Sequence, residues 1–187
     1  MVALVRAMKD GRVPAEPAVV ISNVRSAPGL KTAAEWGIEA AVIEHTTFPR
    51  REDHERAVIE VLARQRVDIV CLAGYMRRLS PLFVGAFSGR ILNVHPGLLP
   101  AFTGLNAQEA ALDYGVKVAG CTVHLVDDQV DHGPIVLQAT VPVEDDDTAE
   151  TLSARILEQE HAIYPQALAL LASGKLSIEG RRVRIRR

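Results

Sequence analysis

Arg90-Ile91-Leu92-Asn93-Val94-His95-Pro96-Gly97-Leu98-Leu99-Pro100 is the segment from which the rest of this chain can be ordered. Ile91, Leu92 and Val94 are apolar and β-prone, whereas the stretch from Pro96 to Pro100 cannot continue a ladder. A strand therefore ends here. Successive strand side chains point to opposite faces, so Asn93 and His95 emerge on the same side. An amide donor beside an imidazole at a strand exit suits a reaction in which negative charge develops on a carbonyl oxygen. Taken alone, the pair is better explained as a turn-capping Asn and a satisfied, half-buried His. The context decides between the two readings.

Working upstream, Val67 to Ala73 is the most hydrophobic strand of the chain, preceded by a helix opened by Pro49-Arg50-Arg51-Glu52-Asp53 and running to about Gln65. Before it come a strand at Ala40–Ile43, a helix from Pro28 to Trp36 and a strand at Ala18–Ile21. The first segment, residues 2–10, is a helix stopped by Gly11. Short apolar strands alternating with helices predict an open, mostly parallel α/β sheet of Rossmann-like type with helices on both faces. Sites are then expected at the carboxyl ends of the strands.

Downstream, Asn106 to Tyr114 is a helix and Lys117 to Leu125 alternates like a strand, with His124 near its end. The polar loop from Asp127 to Pro134 leads into a strand at Ile135–Val141, which predicts an antiparallel edge on the sheet. Asp147 and Glu150 have the spacing of a capping box on a helix that reaches about Ser173, with a kink at Pro165. Leu176 to Ile185 reads as a hairpin turning near Glu179-Gly180. No repeat or linker divides the chain, so residues 1–187 are expected to form a single domain.

Composition narrows the function classes. The chain has 187 residues, 48% hydrophobic and 24% charged, with a formal net charge of −2, which argues against general nucleic-acid binding. The basic run Arg181 to Arg187 is read as a solvated strand and tail. Cys71 and Cys121 lie in apolar runs and read as buried thiols of a reducing compartment, with cytoplasmic location expected. There is no CxxC or HExxH spacing, no membrane span and no signal-peptide pattern, so no metal and no membrane partner is expected.

Five motifs in one order carry a resemblance. They are Leu72-Ala73-Gly74-Tyr75-Met76-Arg77-Arg78-Leu79-Ser80-Pro81, Ile91 to Pro100, Gly120-Cys121-Thr122-Val123-His124-Leu125-Val126, Asp131-His132-Gly133-Pro134-Ile135, and Gln159-Glu160-His161-Ala162-Ile163-Tyr164-Pro165. Together they resemble the formyltransferase family that uses 10-formyltetrahydrofolate, and within it the branch that formylates glycinamide ribonucleotide in purine biosynthesis. That resemblance implies catalytic roles for Asn93, His95 and Asp131. Asn93 and a protonated His95 would stabilise the tetrahedral oxyanion, and the Asp131 carboxylate would favour the charged imidazole. His124 is implied as a supporting polar group, with a plain strand histidine equally open.

The resemblance further places formyl-folate, the co-substrate, against Met76, Arg77, Arg78 and Leu79 and against Asp127, Asp128, Gln129, Val130 and Asp131, with Asn93 beside it. Arg51 falls where the family contacts the acidic, distal part of the folate. The ribonucleotide would meet Leu157, Glu158, Gln159 and Glu160, the last holding the reacting amine. Partners are thus small molecules, for a monomer or homodimer. Alternatives are an impaired, folate-binding fragment, or another formyl-folate enzyme of the methionyl-tRNA formyltransferase or formyltetrahydrofolate hydrolase type.

Departures accompany the match. The family's first strand and its phosphate-binding loop have no counterpart here, since Met1 already lies inside the expected first helix. The expectation is an internal methionine in a protein extending upstream, and a sheet with unpaired edges at Ala18–Ile21 and Val67–Ala73. Gly97 and Thr103-Gly104-Leu105-Asn106 also differ from the usual family text.

Overall fold

The computed structural model describes residues 1–186; Arg187, the last of the basic run, lies outside them. Helix α1 (Val2–Lys9) precedes strand β1 (Val19–Ser22), helix α2 (Pro28–Glu35) and strand β2 (Glu39–Val42). Helix α3 (Arg51–Arg64), strand β3 (Val70–Cys71), the short helix α4 (Pro81–Ala86) and strand β4 (Ile91–His95) follow. The chain continues through α5 (Ala107–Tyr114), β5 (Val118–Leu125), β6 (Ile135–Pro142), the long α6 (Ala149–Ala172), β7 (Leu176–Glu179) and β8 (Arg182–Ile185).

Strands β1 and β2 pair in parallel, as do β3 and β4. Strand β5 runs against β4, and β6 runs against β5, so within the order β3-β4-β5-β6 only β5 is reversed. Helices α1 and α6 pack on one face, where Leu4, Ala7, Leu152, Ile156 and Tyr164 meet Leu92, Cys121 and Val123. On the opposite face α3 and α4 bring Leu62, Phe83 and Phe87 onto Ile91, Val70 and Leu72. The buried apolar side chains of these two layers hold the fold, each worth roughly 1.5–3 kcal/mol.

Strands β1 and β3 share those layers but do not pair. Val19 and Ile21 lie in the α3–α4 layer with Val70 and Leu72, whereas Val20 packs toward α1, as Ile69 and Cys71 do. The two strands therefore belong to one sheet plane, and a cleft of about 1270 Å³ separates them, floored by Val19–Ile21 and Ile69–Leu72. Unpaired edges at these two strands are what the resemblance leads one to expect. The open edge also explains why β3 is shorter than the expected Val67–Ala73. It finds ladder partners on the β4 side only, through bonds such as Val70 N–H to the Arg90 carbonyl and Leu72 N–H to that of Leu92.

Two local expectations are corrected. The N-cap of α6 is Thr148, not Asp147, and its box partner is Thr151 rather than Glu150. Asp147 is instead drawn one position outside the helix by a bidentate pair with Arg155, at 2.7 and 2.9 Å, and by the Glu144 N–H. These contacts hold its carboxyl well below the usual carboxylate range, the Arg155 hydrogen bonds foremost. Helix α4 was not foreseen. Its sequence signal is Ser80 at the N-cap followed by Pro81 in the first turn.

Candidate active site

The antiparallel register of β4 and β5 sets Asn93 opposite His124 and His95 opposite Thr122. All four side chains then lie on one face of the sheet, as cross-strand neighbours must. His95, Thr122 and His124 are buried, at 3%, 0% and 2% exposure. This constellation lies where β4 gives way to the Pro96–Pro100 segment.

Hydrogen bonding assigns the ring protons. His124 Nδ1 faces the Leu125 carbonyl at 3.0 Å and so carries a proton, which leaves Nε2 as an acceptor. The Asn93 amide donates to that nitrogen at 3.2 Å. Burial keeps His124 neutral by pushing its pKa below 6.5, against weaker opposing pulls from the Leu125 carbonyl and Asp131. His124 thus acts as an orienting acceptor for Asn93 and leaves the second amide N–H of Asn93 free.

His95 faces acceptors on both sides. Its Nε2 donates to the Phe102 carbonyl at 2.8 Å, and its Nδ1 lies 3.4 Å from an Asp131 carboxylate oxygen. A carbonyl oxygen only accepts, so Nε2 carries a proton. Asp131 has a φ of +50°, a strained conformation for a non-glycine residue, and its side chain is 10% exposed. The Gly104 N–H holds the same carboxylate at 2.7 Å. Its second oxygen lies 3.8 Å from His124 Nε2.

Glycines permit this closeness at two places. A Cβ on Gly97 would stand 2.9 Å from His95 Nε2, and one on Gly133 would stand 1.8 Å from the Leu125 carbonyl oxygen. Thr122 was missed in the sequence, though it lies two residues before His124 on the same strand face. Its hydroxyl donates to the Gly97 carbonyl at 2.7 Å and accepts from the Leu99 N–H at 3.0 Å, fixing the turn that leaves His95.

The other expected site residues are more dispersed. Arg51 opens α3 and pairs with Glu52 at 3.4 Å. Met76 is 75% exposed beside the exposed Arg78, while Leu79 turns into the α3–α4 core. Arg77 has a buried Nε without a partner and contacts Tyr75. Asp127 is occupied within its own loop, accepting from Gln129 N–H at 3.0 Å and from His132 Nδ1 at 2.7 Å. Asp128, Gln129 and Val130 are exposed. Leu157 and Glu160 line the cleft, Glu158 is exposed and Gln159 half-buried. Burial raises the Glu160 carboxyl above its ordinary value.

Cys71 and Cys121 are free, and burial pushes both thiols up to about 12, so neither is poised as a nucleophile. Among the described residues no group of three or more His, Cys, Asp or Glu is placed to hold a metal, and no helix is long and apolar enough to cross a membrane.

An amide donor, an imidazole held by a hydrogen bond on one side and facing a carboxylate on the other, at the end of a strand in an α/β sheet, are equipped for acyl-group transfer, where an oxyanion must be stabilised. The formyl transferase family matches residues 1–168, and the chain belongs to that family. It is 40% identical over 176 residues to the phosphoribosylglycinamide formyltransferase of Escherichia coli, covering 94% of this chain and 83% of that protein. It is 46% identical over 176 residues to the trifunctional purine biosynthetic protein adenosine-3 of Gallus gallus, of which it spans 18%. The crystal structure of glycinamide ribonucleotide transformylase 1 from Symbiobacterium toebii superposes with a TM-score of 0.97 at 52% identity, covering 99% of this chain and 87% of that one.

Proposed function

We propose that this chain transfers the formyl group of 10-formyltetrahydrofolate to the amino group of glycinamide ribonucleotide, a step of purine biosynthesis. The observation that carries the reading is the Asn93–His95–Asp131 cluster, in a chain whose similar proteins include phosphoribosylglycinamide formyltransferases.

The amine attacks the formyl carbon, a C–N bond forms, and the carbonyl electrons pass to oxygen. The free N–H of Asn93 and the Nε2–H of His95 stabilise that oxyanion, and Asp131, 3.4 Å from Nδ1, orients the His95 ring. Collapse of the intermediate breaks the bond to the folate nitrogen. That nitrogen leaves with a proton passed from the attacking amine through His95 or water, giving the formamide and tetrahydrofolate. Phe102 O takes the place at His95 Nε2 that the formyl oxygen needs. The segment from Ala101 to Asn106 must therefore swing aside on binding, and positive φ at the non-glycine residues Phe102 and Asn106 marks it as strained.

Met76 to Leu79 and the Asp127–Asp131 loop form the folate side in this reading, with Arg51 at its acidic end. The aliphatic and carboxylate groups of Leu157 to Glu160 form the amine side, where the Glu160 carboxylate can accept a hydrogen bond from the attacking amine.

Formyl transfer is to be measured with the purified chain against three acceptors: glycinamide ribonucleotide, water and methionyl-tRNA. The proposal requires product with the first at a rate well above the other two. Deformylation in water alone, or transfer to the tRNA, would replace it with the alternative formyl-folate activity. Folate binding without any transfer would leave a folate-binding fragment.

A further inference from the structure

The basic C-terminal segment, which reads in sequence as a solvated tail, reaches the loop that carries Asp131. Arg181 stands at the turn between β7 and β8, next to Gly180 at a φ of +60°. Its guanidinium donates to the His132 backbone carbonyl at 2.6 Å, and its other terminal nitrogen lies over the His132 ring, 2.8 Å from Nε2 and 3.3 Å from Nδ1. We propose that Arg181 is a positioning residue for this loop, acting through His132 and Asp127 to hold the formyl-folate side of the site in shape. The kinetic part rests on the function proposed above; the structural part does not.

The contact ties the loop at two points. The His132 carbonyl accepts from the guanidinium, and the His132 ring sits between Arg181 and the Asp127 carboxylate. Nδ1 donates to that carboxylate 2.7 Å away, since a carboxylate oxygen only accepts, and the other Asp127 oxygen accepts from the Gln129 N–H at 3.0 Å. His132 directly follows Asp131, so whatever fixes the His132 backbone limits where the strained Asp131 can sit.

The loop is fastened elsewhere by independent means. Its base is closed by Leu125 N–H to the Pro134 carbonyl at 2.9 Å and by Gly133 wedged on Leu125. Gly104 N–H holds the Asp131 carboxylate from the opposite side. Arg181 supplies the remaining tie, on the outer flank between Asp127 and His132. Its contacts are exposed, so their effect lies in geometry more than in stability, since exposed charged pairs contribute little. A lysine cannot reproduce them, because one ammonium on a flexible stem does not span a carbonyl and a ring nitrogen in a fixed fork.

The test uses the full chain and Arg181→Ala, Arg181→Lys and His132→Gln. Hydrogen exchange of amides 127–133 should speed up in Arg181→Ala while β4 and β5 amides hold. For formyl transfer, Arg181→Ala should raise KM for 10-formyltetrahydrofolate roughly three- to tenfold. The kcat and the KM for the amine acceptor should stay within about twofold, and Arg181→Lys should fall between. In the double variant with His132→Gln, no further rise is expected.

Unchanged exchange of the loop in Arg181→Ala would overturn the proposal. So would an unchanged folate KM in an active enzyme, or equal rises in KM for both substrates. If the parent transfers no formyl group, exchange still decides the positioning role, and the loss is charged to the proposed function.

Discussion

Replacing His124 by Phe separates an orienting role from a chemical one. The ring volume is nearly kept, but the acceptor for Asn93 at 3.2 Å and the donor to Leu125 at 3.0 Å both vanish. Asn93 then loses the contact that fixes its amide, while its second N–H remains able to reach an oxyanion. A net hydrogen bond is worth about 0.5–1.5 kcal/mol, so kcat for formyl transfer should fall about 2- to 12-fold. Deleting the oxyanion donor itself, in Asn93→Ala, should cost roughly 10²–10³. Leaving the Leu125 carbonyl and an amide hydrogen of Asn93 unpaired should lower stability by about 1–3 kcal/mol. At this chain length that corresponds to a Tm lower by roughly 2–12 °C. Steady-state kinetics on both single variants and on the double variant read the coupling, and the double should be no slower than Asn93→Ala. An unchanged kcat in His124→Phe would remove the orienting role. A loss as large as that of Asn93→Ala would make His124 part of the chemistry instead.

Further outcomes follow from other contacts. His124 is held neutral by burial, so above its unfolded value near 6.5 it adds no penalty. As pH falls below that value the unfolded chain takes up a proton that the folded chain refuses, and stability declines. Denaturant titrations between pH 7.5 and 5 should show that slope, and His124→Phe should flatten it. Glu55, 1% exposed, accepts from Ser80 N–H at 2.8 Å and from the Ser80 hydroxyl at the start of α4. Glu55→Ala should cost about 3 kcal/mol in a urea titration, and Glu55→Gln less. Gly133→Ala places a Cβ 1.8 Å from a backbone oxygen and must shift the loop. We expect kcat/KM to fall at least about tenfold, because Asp131 moves with the loop.

Much of this architecture is legible in the chain because it depends on short-range rules. Gly11, Gly37 and Gly174 end helices, and the apolar runs around Ile21, Val42 and Val70 give strands without reference to partners. Asn93 and His95 were found together because strand periodicity alone puts them on one face. The pairing of Asp131 with His95 could be inferred only from the family resemblance, since it joins residues 36 positions apart through a loop with a strained backbone. The role of His124 was undecidable from sequence, because it depends on the β4–β5 register and on which ring nitrogen finds the Leu125 carbonyl. The capping of α6 slipped by one residue because a distant contact, Arg155 to Asp147, outbid a local pattern. Arg181 looked like one charge in a basic run, and only the hairpin turn brings it to His132.

The central claim is that Asn93 and His95 perform the transfer step rather than merely shape the pocket. The direct measurement is single-turnover formyl transfer to glycinamide ribonucleotide for the parent chain, Asn93→Ala and His95→Ala, with 10-formyltetrahydrofolate binding measured alongside. The account predicts a fall in the transfer rate of roughly 10²–10³ for Asn93→Ala and a severe loss for His95→Ala, with folate affinity changed only slightly. Transfer at the parent's rate in either variant, or a loss matched by an equal loss of folate binding, would contradict it.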